Sequence, residues 1–298
     1  MKEILPASSL DQIQPSRIRE IANVAFTMDG VIRLHFGEAN IPTPRYIKDA
    51  AIQAINDGYT FYSENAGLPS LRQALAGKTA ELHNVEIDPM AEMVVASSGV
   101  QSLNLMIRCA INPGDEAIVL TPNWPNGTEI IKLYGATPVE VPFQSDGERF
   151  SINFERLAAA LTPKTKLLLY TSPSNPLGWV ATEAEQRGLL EFCRNHGLWL
   201  MADEVYERIY FKGTVSPSIL RLCSREDAVI VVQSFSKAYC MTGWRLGWAI
   251  SRRDLISKAQ PLNEFIVSHA PTFLQKAGEV AIAKGEDDVQ ARAELFQE

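Results

Sequence analysis

Ser234-Phe-Ser-Lys237-Ala-Tyr-Cys-Met-Thr-Gly243-Trp-Arg245 is the stretch that decides the fold and the chemistry, and it follows the apolar run at residues 229–232. An apolar run ending in Ser-x-Ser-Lys predicts a buried strand with an amine at the rim of a sheet. A lysine partly withdrawn from water there has a lowered pKa and can act as a nucleophile toward aldehydes. Arg245 can pair bidentately with a phosphate held nearby. One cofactor needs both an amine that reacts with its aldehyde and a cation that pairs with its phosphate, namely pyridoxal 5'-phosphate (PLP).

Short apolar runs recur along the chain, each followed by a longer segment of helical pattern. Several are apolar at every position, which is typical of strands covered by helices on both faces. Intervening segments such as residues 153–161 and 183–195 carry apolar residues at helical spacing. We therefore expect an α/β fold with a mostly parallel, seven-stranded sheet flanked by helices. The seven runs are residues 93–96, 117–120, 139–141, 167–170, 198–201, 229–232 and 246–250.

The two ends of the chain have a different pattern. Residues 32–36 resemble a short strand, and the loop 37–44 after it contains two prolines that forbid a regular element. A helix is expected at 45–57, with Gly58 in a C-cap position. Residues 272–298 predict a long helix interrupted only by Gly285.

Composition places the chain among ordinary soluble globular proteins, with 298 residues, 46% of them hydrophobic and 21% charged. The net charge of −7 gives no general attraction to nucleic acid or to an anionic membrane. No apolar run approaches the roughly 20 residues that span a bilayer. The four cysteines form no CxxC pair, which favours free thiols in a reducing compartment. We expect a cytoplasmic protein that binds neither nucleic acid nor membrane.

Unusual residues follow the predicted strands at their carboxyl ends, where open α/β sheets bind ligands. After the run at 93–96, Ser98-Gly99-Val100 opens a helix whose free N–H groups would hold a phosphate. Plain helix capping would explain the same residues. After the run at 117–120, Trp124 lies between two prolines and can stack on a flat heterocycle, although core or rim packing is the commoner role of such a residue.

Two further strand ends carry polar groups. Asn175 follows the run at 167–170, where the neighbouring prolines fix its loop and aim its amide; a purely structural turn is the alternative. Asp203 follows the run at 198–201, and a carboxylate desolvated there requires a positive partner. A protonated pyridine nitrogen supplies one and keeps the ring an electron sink. An N-cap role is the competing interpretation of Asp203.

With these motifs in place, the sequence resembles the class I/II aminotransferases, PLP enzymes of the aspartate aminotransferase fold (fold type I). The resemblance runs from about residue 32 to residue 250, and the motif around Lys237 is its most specific part. It implies that Lys237 is the Schiff-base lysine, which also moves the substrate proton. It implies that Asp203 pairs with the pyridine nitrogen. Tyr206 and Asn175 would hydrogen-bond the phenolic oxygen of the ring.

The resemblance assigns further residues to the cofactor, the substrate and a second subunit. It implies that Trp124 stacks on the ring and that Gly37, Trp124 and Asn175 line the substrate site. Tyr62 matches a tyrosine that reaches the phosphate in the neighbouring subunit, which implies a homodimer. The residues expected around the phosphate are Ser98, Gly99, Val100, Ser234, Ser236 and Arg245.

The resemblance also predicts a domain organisation. We expect an N-terminal segment at 1–45, a PLP-binding large domain at 46–270 and a linker helix at 271–298, truncated before a C-terminal small domain. That domain carries the arginine for the substrate α-carboxylate in the family, and no arginine of this chain is assigned the role. The loop from Gly37 reads Gly-Glu-Ala-Asn-Ile-Pro where Gly-Glu-Pro-Asp-Phe-Pro is usual.

The expected activity is transfer of an amino group from an amino acid to a 2-oxo acid through Lys237. A lyase or decarboxylase on the same fold stays open, because the cofactor motif fixes the electron sink and not the bond that breaks. A PLP-binding chain that is truncated and impaired, or regulatory, is the other alternative. The sequence lacks G-x-S-x-G, P-loop and G-x-G-x-x-G motifs. Its scattered histidines argue against a metal site; they are His35, His83, His196 and His269.

Overall fold

The computed structural model describes residues 4–298 as eleven α-helices and nine strands, with three single-turn 3₁₀ helices. No helix within that range is long and apolar enough to cross a lipid bilayer. The helices are α1 (Arg17–Ala25), α2 (Arg45–Asn56), α3 (Pro69–His83), α4 (Gly99–Ala110), α5 (Asn126–Leu133), α6 (Phe154–Ala159), α7 (Glu183–His196), α8 (Phe235–Ala238), α9 (Arg253–Ile266), α10 (Thr272–Lys284) and α11 (Glu286–Gln297).

Seven strands form one sheet, as the sequence predicts, and their order in it is β1-β9-β8-β7-β6-β2-β3. The neighbours from β3 to β8 are parallel, whereas β9 runs antiparallel to both β8 and β1. Two short strands, β4 and β5, pair separately. The strands are β1 (Met93–Ala96), β2 (Glu116–Thr121), β3 (Thr137–Pro142), β4 (Gln144–Ser145), β5 (Phe150–Ser151), β6 (Thr165–Thr171), β7 (Trp199–Asp203), β8 (Val229–Ser234) and β9 (Gly247–Ser251).

Both faces of this sheet are buried. Successive residues of a strand point to opposite faces, so Leu168 and Leu169 of β6 belong to two different apolar clusters. One cluster includes residues from α2, α3, α7 and α10, and the other includes residues from α4, α5 and α9. Burial on both sides explains why the strands are continuous apolar runs and do not alternate with polar residues.

The carboxyl ends of β1, β2, β6, β7 and β8 lie at one edge of the sheet. Because β9 is antiparallel, its first residue reaches the same edge, where Gly247 pairs with Ala96 of β1 and with Ser234 of β8. Each segment that follows one of these strand ends therefore starts beside the others. The residues that the sequence places at strand ends, such as Asp203 at the end of β7 and Lys237 after β8, occupy this edge.

One expectation for the ends of the chain is wrong. Residues 32–36 form no strand, and Ile32 and Leu34 are exposed, so their alternation has no sheet to pack on. The helical tail is interrupted at Gly285, as the sequence predicts, and divides there into α10 and α11. A Cβ added to Gly285 would stand 2.4 Å from the Ala281 carbonyl oxygen, so the break requires glycine. The helix α2 and the turn at Gly58, with φ of 84°, follow the sequence pattern closely. The division at residues 45 and 270 stays a prediction.

Candidate active site

A cavity of about 440 Å³ opens at the carboxyl edge of the sheet. All of the cofactor-binding residues predicted from sequence line it except Ser98 and Tyr62, and Gly37 lines it as well. They come from segments as far apart as residues 37 and 245 in the chain. The predicted residues on its wall are Gly37, Gly99, Val100, Trp124, Asn175, Asp203, Tyr206, Ser234, Ser236, Lys237 and Arg245.

Lys237 lies in α8, the single-turn helix that directly follows β8. Its Nζ donates a hydrogen bond to the carbonyl oxygen of Gly37 and lies 5.1 Å from the centroid of the Tyr206 ring. Burial lowers the pKa of Lys237, and the positive charge of Arg245 lowers it further, while Glu38 and Asp203 act in the opposite direction. A lowered pKa increases the fraction of neutral amine, which is the form that attacks aldehydes and accepts protons.

Asp203 is the last residue of β7, and only 6% of its surface is exposed. Burial raises the pKa of its carboxyl group to about 6, although the backbone N–H of Val205 and the charge of Lys237 favour the ionised form. The Val205 N–H donates to Oδ1 at 3.3 Å. This long bond is the only hydrogen bond that the carboxylate makes to residues 4–298, so it can accept a cationic donor from the cavity.

Tyr206 and Asn175 form a polar pair beside the lysine. The Asn175 amide donates to Tyr206 Oη at 3.2 Å. Burial raises the pKa of Tyr206, and the nearby Asp203 charge raises it further, so its phenol stays protonated and can donate. A Cβ added to Gly37 would stand 3.0 Å from Tyr206 Oη and 3.8 Å from both Asn175 Nδ2 and Lys237 Nζ. Glycine at position 37 therefore keeps the space between these three groups open.

A cradle of small residues forms another part of the cavity wall. Ser98 caps α4 in an unusual conformation (φ of 114°), and its Oγ accepts from the Gln101 N–H at 3.1 Å. Gly99 approaches β8 so closely that an added Cβ would stand 3.1 Å from the Cβ of Ser234. Ser234 Oγ donates to Ser236 Oγ at 2.9 Å. Hydroxyls, a helix N-terminus and close backbone together suit a phosphate.

Arg245 and Trp124 complete two further walls. Arg245 has a left-handed backbone (φ of 53°), and its Nη1 donates to the Thr242 carbonyl oxygen at 2.6 Å. Trp124 is half-buried in the loop after β2. That loop is held by Asn123, whose Oδ1 accepts from the Trp124 N–H at 2.8 Å and from Thr171 Oγ1 at 2.9 Å. The loop carrying the indole is thus fixed to the end of β6.

Tyr62 and Ser98 do not line the cavity. Ser98 lies beside it as the cap of α4. Tyr62 is 90% exposed, and its ring meets His269 edge-on with centroids 5.7 Å apart. Within this chain, therefore, Tyr62 is separate from the other predicted site residues.

Sequence reasoning missed several residues on the cavity wall. Glu38 lines it and accepts a hydrogen bond from Thr242 Oγ1. Phe36 and Arg19 also line it, with the Arg19 guanidinium carbon 5.2 Å from the centroid of the Phe36 ring. Glu38 belongs to the quoted loop at residues 37–44, so that loop was a usable signal. Arg19 offered none, because a single arginine on a short amphipathic helix is indistinguishable from a surface residue.

Comparisons with known proteins agree on one family. The family description "Aminotransferase class I and II" matches residues 29–298. The chain is 34% identical to an aspartate aminotransferase of Pyrococcus abyssi over 92% of its own length and 70% of the relative. It is 30% identical to aromatic-amino-acid aminotransferase 2 of Thermococcus litoralis over 97% of its length and 74% of the relative. The solved aspartate aminotransferase of Rhizobium meliloti aligns with a TM-score of 0.91, at 33% identity, over 99% of this chain and 75% of that one.

The fold and the site define a PLP-dependent enzyme of fold type I. The chain belongs to the class I and II aminotransferases, as the resemblance predicted. It spans about three quarters of the length of the relatives named above.

The residues present fit the cofactor of this family. The buried Asp203 carboxylate lacks a cationic partner that a pyridinium nitrogen would supply. A Cβ added at Gly247 would stand 2.4 Å from the Gly99 nitrogen, so the close backbone approach that forms the cradle at Ser98 and Gly99 requires glycine at position 247. No cluster of three or more His, Cys, Asp or Glu side chains that could hold a metal ion occurs in the described part of the chain. The groups on the cavity wall therefore suit an organic phosphate that has a basic ring and lies beside a lysine.

Proposed function

We propose that this chain transfers an amino group from an amino acid to a 2-oxo acid, using Lys237 as the reactive amine. The observation that carries the proposal is the position of Lys237 Nζ, with a lowered pKa, in one cavity with the buried acid Asp203. Relatives named as aspartate and aromatic-amino-acid aminotransferases support the same reaction class.

PLP, when bound, supplies an aldehyde that reacts with amines and a ring that accepts electrons when a Cα–H bond breaks. Lys237 would hold the cofactor through its amine, and its Nζ would also serve as the base that moves the proton from the substrate Cα. Its lowered pKa matches this work, because a base must be neutral when it accepts the proton.

The other residues orient the ring and hold protons at defined atoms. The Asp203 carboxylate would keep a proton on the ring nitrogen. Its two oxygens accept one long hydrogen bond, from the Val205 N–H, so the carboxylate favours a cationic donor. Tyr206 Oη and Asn175 Nδ2 are both donors and lie 3.2 Å apart, so they can hold one ring oxygen between them. Trp124 covers the ring face, and the serines at 98, 234 and 236 with Arg245 bind the phosphate.

The test is made with the purified full chain, PLP, an amino acid panel and a 2-oxo acid acceptor. We expect a visible absorption band of the bound cofactor, and one amino acid formed from the acceptor for each oxo acid released. Lys237→Ala removes the amine, so the band should vanish and the rate should fall by at least about 100-fold, the usual share of a general acid–base.

Lys212→Ala is the matched control, because Lys212 is an exposed lysine away from the cavity and tests for random reaction of PLP with surface amines. It should behave as the natural chain does. Absence of a Lys237-dependent band would overturn the assignment of the amine. A product released without an equal amount of new amino acid would instead indicate a lyase or decarboxylase.

We also propose a cytoplasmic homodimer. Two adjacent aromatic residues, Phe61 and Tyr62, are 79% and 90% exposed, which favours burial against a second copy. Tyr62 would then reach the phosphate bound by the neighbouring subunit. Sedimentation equilibrium measures the stoichiometry directly, and a strictly monomeric chain at micromolar concentration contradicts the dimer. The four free cysteines support the reducing compartment.

A further inference from the structure

We propose that Arg292 of α11 is a positioning residue for Lys237, because it holds the end of the helix α8 from which the lysine reaches the cavity. The bond that carries this inference runs from Arg292 Nη2 to the Ala238 carbonyl oxygen, 2.7 Å away. The inference rests on the proposed function and adds a residue to it. Within the described chain, Arg292 is not among the residues that line the cofactor cavity, so it acts on the lysine through the backbone.

The helix α8 has little internal support. It is a single turn, Phe235–Ala238, and the last four carbonyls of any α-helix lack partners within it. The carbonyls of Phe235, Ser236 and Lys237 accept from later backbone N–H groups at 3.3, 3.2 and 3.4 Å. The Ala238 carbonyl accepts from the guanidinium at 2.7 Å. The shortest of these four bonds therefore comes from α11.

The guanidinium of Arg292 is withdrawn from water. Only 8% of the residue is exposed, and its Nε is buried without a hydrogen-bond partner among residues 4–298. A buried cation is costly, so the bond that it does form is more important than the same bond would be at the surface. Its donor is charged, which makes it about twice as strong as a bond between neutral groups. Loss of the donor would leave the Ala238 oxygen unpaired.

The helix α11 is a firm support for this contact. Val289, three residues before Arg292, is 2% exposed and belongs to the same apolar cluster as Ala238. The start of α11 packs on the residue after Ala238, since a Cβ added to Gly285 would stand 2.9 Å from Cε1 of Tyr239. The guanidinium thus reaches α8 from a helix that is itself packed against the core, as an accurately held site requires.

The end of α8 determines where the lysine amine lies. Ala238 directly follows Lys237, so the position of its carbonyl sets the point from which the long, flexible lysine side chain extends. From that point Nζ donates to the Gly37 carbonyl oxygen, on a loop about 200 residues earlier in the chain. Without the bond from Arg292, the end of α8 is free to move away from the cavity and to draw the amine toward water.

The pKa of Lys237 reports on this arrangement. Burial is the largest cause of its lowered value; Glu38 and Asp203 raise it, and Arg245 lowers it. The centroid of the Tyr206 ring lies 5.1 Å from Nζ. Because burial is the main cause, an amine that gains water has a pKa closer to that of an ordinary lysine.

The experiment measures the titration of Lys237 in the purified full chain without added PLP. Acetic anhydride in trace amount reacts with neutral amines, and mass spectrometry of the peptide that contains Lys237 gives the extent of labelling over a series of pH values. Arg292→Met keeps a long apolar stem but removes the donors. The midpoint of labelling should rise by about one pH unit, the size expected from the loss of one charge-assisted hydrogen bond.

Val289→Ala is the matched control. It removes buried methyl groups from the same helix but keeps the guanidinium. This variant should therefore lower the melting temperature and leave the midpoint of Lys237 unchanged. Arg292→Lys should recover part of the change seen in Arg292→Met, because it restores a charged donor.

An unchanged midpoint in Arg292→Met would overturn the proposal. If that variant does not fold, Arg292→Gln replaces it: its amide lies closer to the backbone than Nη2, and the same rise is expected. An equal rise in Val289→Ala would also overturn the proposal, by showing that any loosening of α11 has this effect. Labelling needs neither cofactor nor substrate, so a chain whose Lys237 responds to Arg292 but which transfers no amino group contradicts only the proposed function.

Discussion

Two successive acids at the end of β7 have different surroundings, and only one of them is placed to take part in the chemistry of the site. Asp203 faces the cavity, whereas Glu204 is fully buried and accepts from Ser218 Oγ at 2.6 Å and from the Ile219 N–H at 3.0 Å. Burial raises the pKa of Asp203 to about 6 and that of Glu204 to about 7. Neighbouring residues of a strand point to opposite faces, so only the first of the two acids lines the cavity.

The raised pKa of Glu204 predicts a pH-dependent stability. The folded chain retains a proton that the unfolded chain releases near pH 4.5, so this contribution is complete below pH 4.5 and is lost as pH rises through about 7. Glu204→Gln removes the titration. Relative to the natural chain, the variant should gain about 2 kcal/mol of unfolding free energy between pH 5 and pH 7. Urea denaturation at the two pH values measures it.

Glu191→Gln is the control for this measurement, because Glu191 is an exposed acid of α7. Its difference from the natural chain should be the same at both pH values. A Glu204→Gln difference that is independent of pH would show that the buried carboxyl does not titrate in this range.

At the scale of the elements, the phosphate cradle depends on a close approach of backbones. Gly247 begins β9 where it crosses the start of α4, and an added Cβ would stand 2.4 Å from the Gly99 nitrogen and 2.6 Å from the Ser98 carbonyl carbon. Both atoms belong to backbone and cannot move aside cheaply. The strand β9 therefore shapes the cradle although none of its side chains was expected to bind the cofactor.

Gly247→Ala should destabilise the chain by about 3 kcal/mol, at the upper end of the usual cost of overpacking, and should weaken PLP binding. Gly77→Ala is the matched substitution, because Gly77 lies inside α3 with no atom near its absent Cβ. That change should stabilise the chain by about 0.5–1 kcal/mol through helix propensity. Thermal melting with and without PLP measures both, and equal behaviour of the two variants contradicts the steric argument.

The sequence predicts the sheet well because burial on both faces leaves continuous apolar runs. All seven predicted runs are strands, and the expected polar residues follow their carboxyl ends. The order of the strands and the reversed direction of β9 are not visible in such runs, since an apolar pentapeptide fits a parallel or an antiparallel neighbour equally. Residues 32–36 were misread for a related reason: alternation indicates a strand only where a partner exists.

Whether a site residue could be predicted from the sequence depended on its position relative to the strands. Lys237 and Asp203 follow buried strands and could be found from that pattern. Arg19 and Glu38 reach the cavity from loops and a helix outside the sheet, where tertiary packing decides their direction. No local pattern encodes that direction, so only the folded structure brings these side chains to the lysine.

At the scale of the whole molecule, hydrogen bonds and ion pairs at Glu286 connect the C-terminal helical tail to the turn that carries Tyr206. Glu286, the first residue of α11, accepts from Arg208 Nη1 at 3.1 Å and pairs with Lys78 Nζ at 2.7 Å. The Arg208 and Lys78 side chains are both buried. The hydrogen bond from Arg208 lowers the pKa of Glu286 to about 2, so the acid is ionised throughout the physiological range.

Glu286→Gln should lower the unfolding free energy at pH 7 by about 2 kcal/mol, because two buried cations lose their shared anion while one hydrogen bond is retained. Backbone amides of α11 should exchange with solvent faster in hydrogen-exchange measurements. Glu294→Gln, an exposed acid on the same helix, is the control and should change neither quantity. A variant with natural exchange rates in α11 would contradict the role of this ion cluster.

The reversed strand β9 has a consequence for how the chain acquires its structure during synthesis. Among the described strands, β1 at residues 93–96 pairs with β9 at residues 247–251 and with no other. About 150 residues must therefore leave the ribosome before the first strand finds a partner, and such distant pairings form slowly. Until then the apolar edges of β1 and β8 stay open to other chains. The start of α4 meets β8 and β9 only afterwards, so we expect the nascent chain to gain its affinity for PLP in the last step of folding.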